Sequence, residues 1–176
     1  MAQPAKEAIL TLPSTRVHWV SGPHQIIPDV GISGSIPRQH PLEDTGGPFF
    51  FDPQGQRSDP LEDDMALWIA TARGLIIITG CCHAGLINTV DHIRAVAGVE
   101  RLFGVIGGLH LVNAANDRLK ATCAALRNWQ PEFIIPCHCT GEVATDYLCE
   151  ELGGTVVPGS AGFELTLTEC GILHCQ

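Results

Sequence analysis

The chain has 176 residues, of which 45% are hydrophobic and 16% charged, with a formal net charge of −9. That length and apolar content fit a single domain with a real core and exclude a disordered chain. Ten Lys and Arg against nineteen Asp and Glu exclude a surface that binds nucleic acid by neutralising phosphates, although a bound metal would let an acidic chain hold an anionic substrate.

The first fifteen residues hold Lys6, Glu7 and only a short apolar run at 8–12, too little for a signal-peptide core. The longest apolar region, 74–87, is interrupted by Cys-Cys-His and falls short of the ~18 residues of a membrane span. A soluble, cytoplasmic protein is expected, with no membrane partner. The eight cysteines are accordingly read as thiols, several of them small buried apolar residues.

In chain order, residues 16–20 and 25–36 read as short strands separated by Ser21-Gly22-Pro23. A Pro-, Gly- and charge-rich segment follows over 37–60, long enough to be functional, and its Phe49-Phe50-Phe51 run either caps a pocket or anchors the loop on the core. The pattern sharpens from residue 61. Residues 65–71 and 75–79 flank the turn Ala72-Arg73-Gly74 as an antiparallel hairpin. Helical periodicity at 87–97, 117–129 and 142–152 alternates with strands at 102–106, 133–135 and 155–157, and 163–168 with 172–174 forms a last strand pair. Asn116 or Asp117 is the expected N-cap of the second helix, and Gly153-Gly154 the stop of the third. This alternation predicts an α/β fold, a mixed sheet with helices against a face.

Three motifs recur where strands end: Thr79-Gly80-Cys81-Cys82-His83-Ala84-Gly85, Gly107-Gly108-Leu109-His110-Leu111 and Pro136-Cys137-His138-Cys139-Thr140-Gly141. In open α/β sheets ligands bind outside the carboxyl ends of the strands, so His83, His110 and His138 are predicted to converge on one edge. Imidazole is the commonest metal ligand, and zinc also accepts thiolates. If 137–139 is extended, neighbouring side chains alternate faces, and His138 rather than Cys137 and Cys139 is the expected ligand. His110 is read either as a ligand or as the group that handles a proton or a phosphoryl oxygen. His18, His24, His40 and His92 are weaker candidates, as is a Cys170, His174 and Cys175 set. Phosphate-cradling, dinucleotide-binding and Gly-x-Ser-x-Gly motifs are all missing, which leaves metal-assisted hydrolysis as the leading chemistry.

The run from Leu61-Glu62-Asp63-Asp64 through the hairpin to Thr89, with the motifs at His110 and His138, resembles metallo-β-lactamase-fold hydrolases. Within them it resembles the branch of the dihydropterin and ribofuranosyl-aminobenzene-phosphate synthases. Gly34-Ser35-Ile36-Pro37-Arg38 is similar to a further segment of that branch. The resemblance covers about residues 25–168 and implies a metal-dependent hydrolase or synthase acting on a phosphorylated or pterin-like small molecule. It implies His83 and His138 as metal ligands, His110 as the catalytic residue, Arg38 at the substrate, and zinc as the metal, with manganese or iron as alternatives. Members of the family carry a His-x-His-x-Asp-His motif and a further ligand in their first half, and this sequence contains neither. The expectation is therefore roughly the C-terminal half of an αββα sandwich. A separate chain or a second copy in a homodimer would complete it, the homodimer packing through an apolar sheet face of about a thousand Å². The contrasting expectation is a non-catalytic half-fold that serves as a binding or dimerisation module.

Overall fold

A computed structural model describes residues 3–45, 47–168 and 171–175. Six strands form one sheet in sequential order: β1 His24–Ile27, β2 Val30–Ile32, β3 Ala66–Thr71, β4 Gly74–Thr79, β5 Leu102–Gly108 and β6 Phe133–Cys137. The first four pair antiparallel, and β4, β5 and β6 run parallel. The two crossovers that parallel pairing requires are α2 Leu86–Ala97 and α3 Asn116–Trp129, and α4 Glu142–Leu152 follows β6. The remaining elements are α1 Gln3–Leu10, which buries no residue, and the pair β7 Leu165–Thr168 and β8 Gly171–Cys175.

Because side chains alternate along each strand, the sheet has two apolar faces. One carries Trp68, Leu75, Ile77, Leu102, Val105 and Ile134 against Val90 and Ile93 of α2, Leu126 of α3 and Leu148 of α4. The other carries Ile76, Phe103, Phe133 and Ile135, each no more than 2% exposed, with Phe163 and Leu165 packed on them. The expected bare face of about a thousand Å² is therefore corrected: the C-terminal segment of the same chain folds across its centre.

Register decides where the site lies. Thr79 pairs with Gly107, Gly107 with Pro136, and Gly108 with Cys137, so β4, β5 and β6 end level with one another. Each exit turns through a left-handed residue: Cys82 at φ 64°, His110 at 48° and His138 at 47°. Side chains with a Cβ rarely adopt that conformation, and it concentrates at functional sites.

The expected strand at 16–20 is absent from the sheet, and 25–36 is split by a turn in which Asp29 takes φ 64°. Of the strand expected at 155–157, an isolated parallel bridge from Val156 to Ile134 of β6 forms. Val157 and Gly159 donate to the Ile134 and Pro136 carbonyls along the edge of β6, and Pro158 between them faces the outer side, where a proline leaves no N–H to pair. Asn116 and Asp117 lie inside the first turn of α3, with Ala115 at the cap and no side-chain capping bond. Gly153 does end α4.

Candidate metal centre

The loop after β4 is held from three sides. Arg38 donates through Nη1 to the His83 carbonyl at 2.5 Å, and through Nη2 to the carbonyls of Pro60 at 2.5 Å and Leu61 at 3.4 Å. Its guanidinium, expected at the substrate, is spent on fixing the backbone that carries His83. Asp64 accepts the Ala84 N–H at 2.8 Å through Oδ2 and sets Oδ1 3.5 Å from His83 Nδ1. That arrangement orients an imidazole as a carboxylate behind a ligand histidine does. The third support is Glu43, whose carboxylate receives the Ile87 and Asn88 N–H groups at 2.7 Å each and so caps α2 from 44 residues away. Gly85, at φ 92°, admits it: a Cβ there would fall 2.2 Å from the Glu43 carboxyl carbon. Burial raises the Glu43 carboxyl above its ordinary 4.5, against the pull of the two N–H bonds, Arg118 and His40.

His83 and His110 meet as predicted, with ring centroids 4.4 Å apart at 69°. Phe49 lies over both, 5.4 Å from His83 and 6.0 Å from His110, so the aromatic loop contributes one ring to this pocket. His110 is 8% exposed, and neither ring nitrogen has a hydrogen-bond partner; the Thr45 carbonyl faces the ring outside bonding geometry. Burial first, then the neighbouring His83 and Arg118, lower its pKa below the ordinary 6.5, so the ring is neutral at pH 7. Arg118 is 3% exposed and pairs with Asp44, leaving Nε and Nη2 without partners.

His138 takes different company. The chain at His138–Thr140 is a tight turn rather than an extended strand, so the alternation that was to separate His138 from its neighbours fails. Ligand atoms of Cys81, His138 and Cys139 lie within 4.8 Å of one another. Cys139 donates from Sγ to the Cys81 carbonyl at 3.2 Å, and burial pushes its thiol up to about 11, so it is protonated without a metal. Cys137 turns instead to the Ile135 carbonyl and the second core. Cys82, pushed up to about 12 by burial and bonded to Thr89, is a core residue. A cavity of about 290 Å³ opens beside His138, lined also by Cys137, Glu142, Thr145 and Asp146.

The edge thus holds two adjoining sets, His83 with His110 and Asp64, and His138 with Cys81 and Cys139. The two thiols and one imidazole within 4.8 Å fit a borderline divalent metal such as zinc. Glu43 carried no periodic or motif signal, and Asp64 stood in the run that carries the resemblance without being given a role. Cys139 lay in a motif, but the assumption of an extended chain set it aside, and in the motif holding Cys81 only His83 was taken as a ligand. His92 bonds the Ser33 carbonyl, His18 stacks on His24, and the side chains of the Cys170, His174 and Cys175 set lie outside the described residues. Among the described residues no helix is long and apolar enough to cross a membrane.

The chain superimposes on the crystal structure of Tm1679, a metal-dependent hydrolase of the β-lactamase superfamily, with a TM-score of 0.76 and 29% identity over 87% of this chain and 59% of that one. It is 39% identical over 93 residues to the 7,8-dihydropterin-6-methyl-4-(β-D-ribofuranosyl)-aminobenzene-5'-phosphate synthase of Methanocaldococcus jannaschii, covering 53% of this chain and 32% of the synthase. It is 35% identical over 123 residues to protein MJ0448 of the same organism, covering 69% and 44%. The chain therefore spans a third to under a half of the curated relatives it matches. No family model matches. The fold is of the metallo-β-lactamase kind, with a mixed sheet and helices on one face.

Proposed function

We propose that this chain carries part of a metal-dependent active centre of the metallo-β-lactamase type, acting by hydrolysis or a related synthase reaction on a phosphorylated or pterin-like small molecule. The observation that carries this reading is the level ending of β4, β5 and β6, which delivers His83, His110 and the His138 turn to one edge. Likeness to a solved metal-dependent hydrolase supports the reaction class, and the name of the synthase relative supports the substrate class.

His83 and His138 are the side chains that would hold the metal, with zinc favoured by the neighbouring thiols. A divalent ion at this edge would supply positive charge and an activated water. His110, neutral and buried, offers a nitrogen to position a proton on the substrate, while Phe49 keeps water from the pair. Asp64 orients His83, and Arg38 fixes its loop. A two-metal centre needs about six protein ligands, twice the three of a single catalytic zinc. The remainder would come from a His-x-His-x-Asp-His segment outside this sequence.

The test is phosphodiester hydrolysis with zinc or manganese by the chain alone and after mixing with a segment bearing that motif. Chelator-sensitive turnover only in the mixture, reduced about 100-fold or more by His110→Ala, is expected. A metal-loaded mixture without activity, turnover by the chain alone, or an inert His110→Ala change would each contradict the reading.

A further inference from the structure

We infer that Cys81 and Cys139 join His138 as ligands of a thiophilic divalent cation such as zinc, all three supplied by this chain, an inference that rests on His138 as a metal ligand. The inference goes beyond the hydrolase reading, because neither thiol belongs to the histidine set and no ligand from outside is needed.

The fold builds this site at some cost. Cys81 follows β4 and Cys139 follows β6, and β5 runs between them. Two strand spacings, roughly 9–10 Å, would keep their side chains apart if β5 carried one there. It carries Gly108. A Cβ at that position would sit 2.8 Å from Cys139 Sγ, 3.2 Å from the Cys81 Cα and 2.5 Å from the Gly80 carbonyl oxygen. The missing side chain is what lets the two exits close over the strand end, and the Cys139 to Cys81 hydrogen bond spans the gap. The second device is His138 itself. Its φ of 47° turns the backbone so that consecutive residues 138 and 139 present ligand atoms to the same point. Left-handed backbone at a residue with a Cβ is strained and persists where the surroundings enforce it.

Two sulfurs and one nitrogen suit zinc and exclude magnesium or calcium, which take oxygen ligands. Three protein ligands also leave a fourth position for water or substrate, the pattern of catalytic rather than structural zinc. His138 is exposed and borders the cavity lined by Glu142, Thr145 and Asp146, so that position is reachable from solvent.

The test is a cobalt(II) titration of the full chain, reduced with a phosphine, followed by absorption spectroscopy. One equivalent should bind with a thiolate-to-cobalt charge-transfer band in the near ultraviolet, and zinc should abolish the band. Cys81→Ser and Cys139→Ser should weaken the band and lower affinity more than about tenfold, since even residues behind a ligand cost that much. His138→Ala should lower affinity likewise. Cys137→Ser and His92→Ala should leave both unchanged. The wild-type band decides thiolate ligation without reliance on any variant's folding. Its absence, its persistence in the Cys81→Ser, Cys139→Ser double variant, or its loss in Cys137→Ser would overturn the assignment. Turnover judges the hydrolase reading and the band judges this one, so either can fail alone.

Discussion

The Cys139 thiol donates a 3.2 Å hydrogen bond to the Cys81 carbonyl across the end of β5, joining two strand exits 58 residues apart. Nothing local in the chain links them. The approach depends on Gly108, so Gly108→Ala should force the exits apart, lowering stability by about 1–3 kcal/mol as overpacking does. Chemical denaturation measures the loss, and the same variant should bind cobalt without the thiolate band. A variant with wild-type stability and an intact band would show that the exits meet without the glycine.

Arg38 bridges the His83 carbonyl to those of Pro60 and Leu61 with a planar fork that Lys cannot reproduce. Arg38→Lys should therefore cost about 1–2 kcal/mol at this half-buried site, read in urea unfolding. Unchanged stability with weakened substrate binding would return Arg38 to a direct role at the substrate.

Glu43 is a buried carboxylate whose pKa is raised. A raised carboxyl contributes stability that is fully present below the ordinary 4.5 and is lost as pH rises through its folded value. Wild type should thus gain on Glu43→Gln as pH falls from 7 toward 4.5, and the opposite slope in paired melts would contradict this. Glu43→Ala, which strands two N–H groups at the start of α2, should cost about 1–3 kcal/mol.

Phe163 and Leu165 cover Ile76, Phe103, Phe133 and Ile135. Phe163→Asp should uncover that face, lowering stability by about 2 kcal/mol and promoting dye binding and self-association. A monomeric, dye-silent variant would mean that the strands are shielded by something other than this segment.

Much of the fold was legible because parallel strands and amphipathic helices write strong periods. The β3–β4 hairpin, α2, α3 and α4 lie within a residue or two of where apolar spacing put them. The convergence of His83 with His110 was legible too, because strand exits share an edge once the sheet is parallel. What was not legible depends on backbone sign and distant contacts. Alternation at 137–139 fails because His138 is left-handed, and Glu43 reaches α2 across 44 residues. The cover on the second sheet face was missed because 163–165 reads only as part of a strand, with no mark of what it packs against.

Zinc K-edge X-ray absorption on the full chain loaded with one equivalent of zinc tests the central claim, that Cys81, His138 and Cys139 hold a metal at these strand exits, most directly. The account predicts two sulfur scatterers near ~2.3 Å and one imidazole nitrogen near ~2.0–2.1 Å, completed by a light atom from water. A shell of nitrogen and oxygen alone, or a chain that retains no zinc, would contradict it.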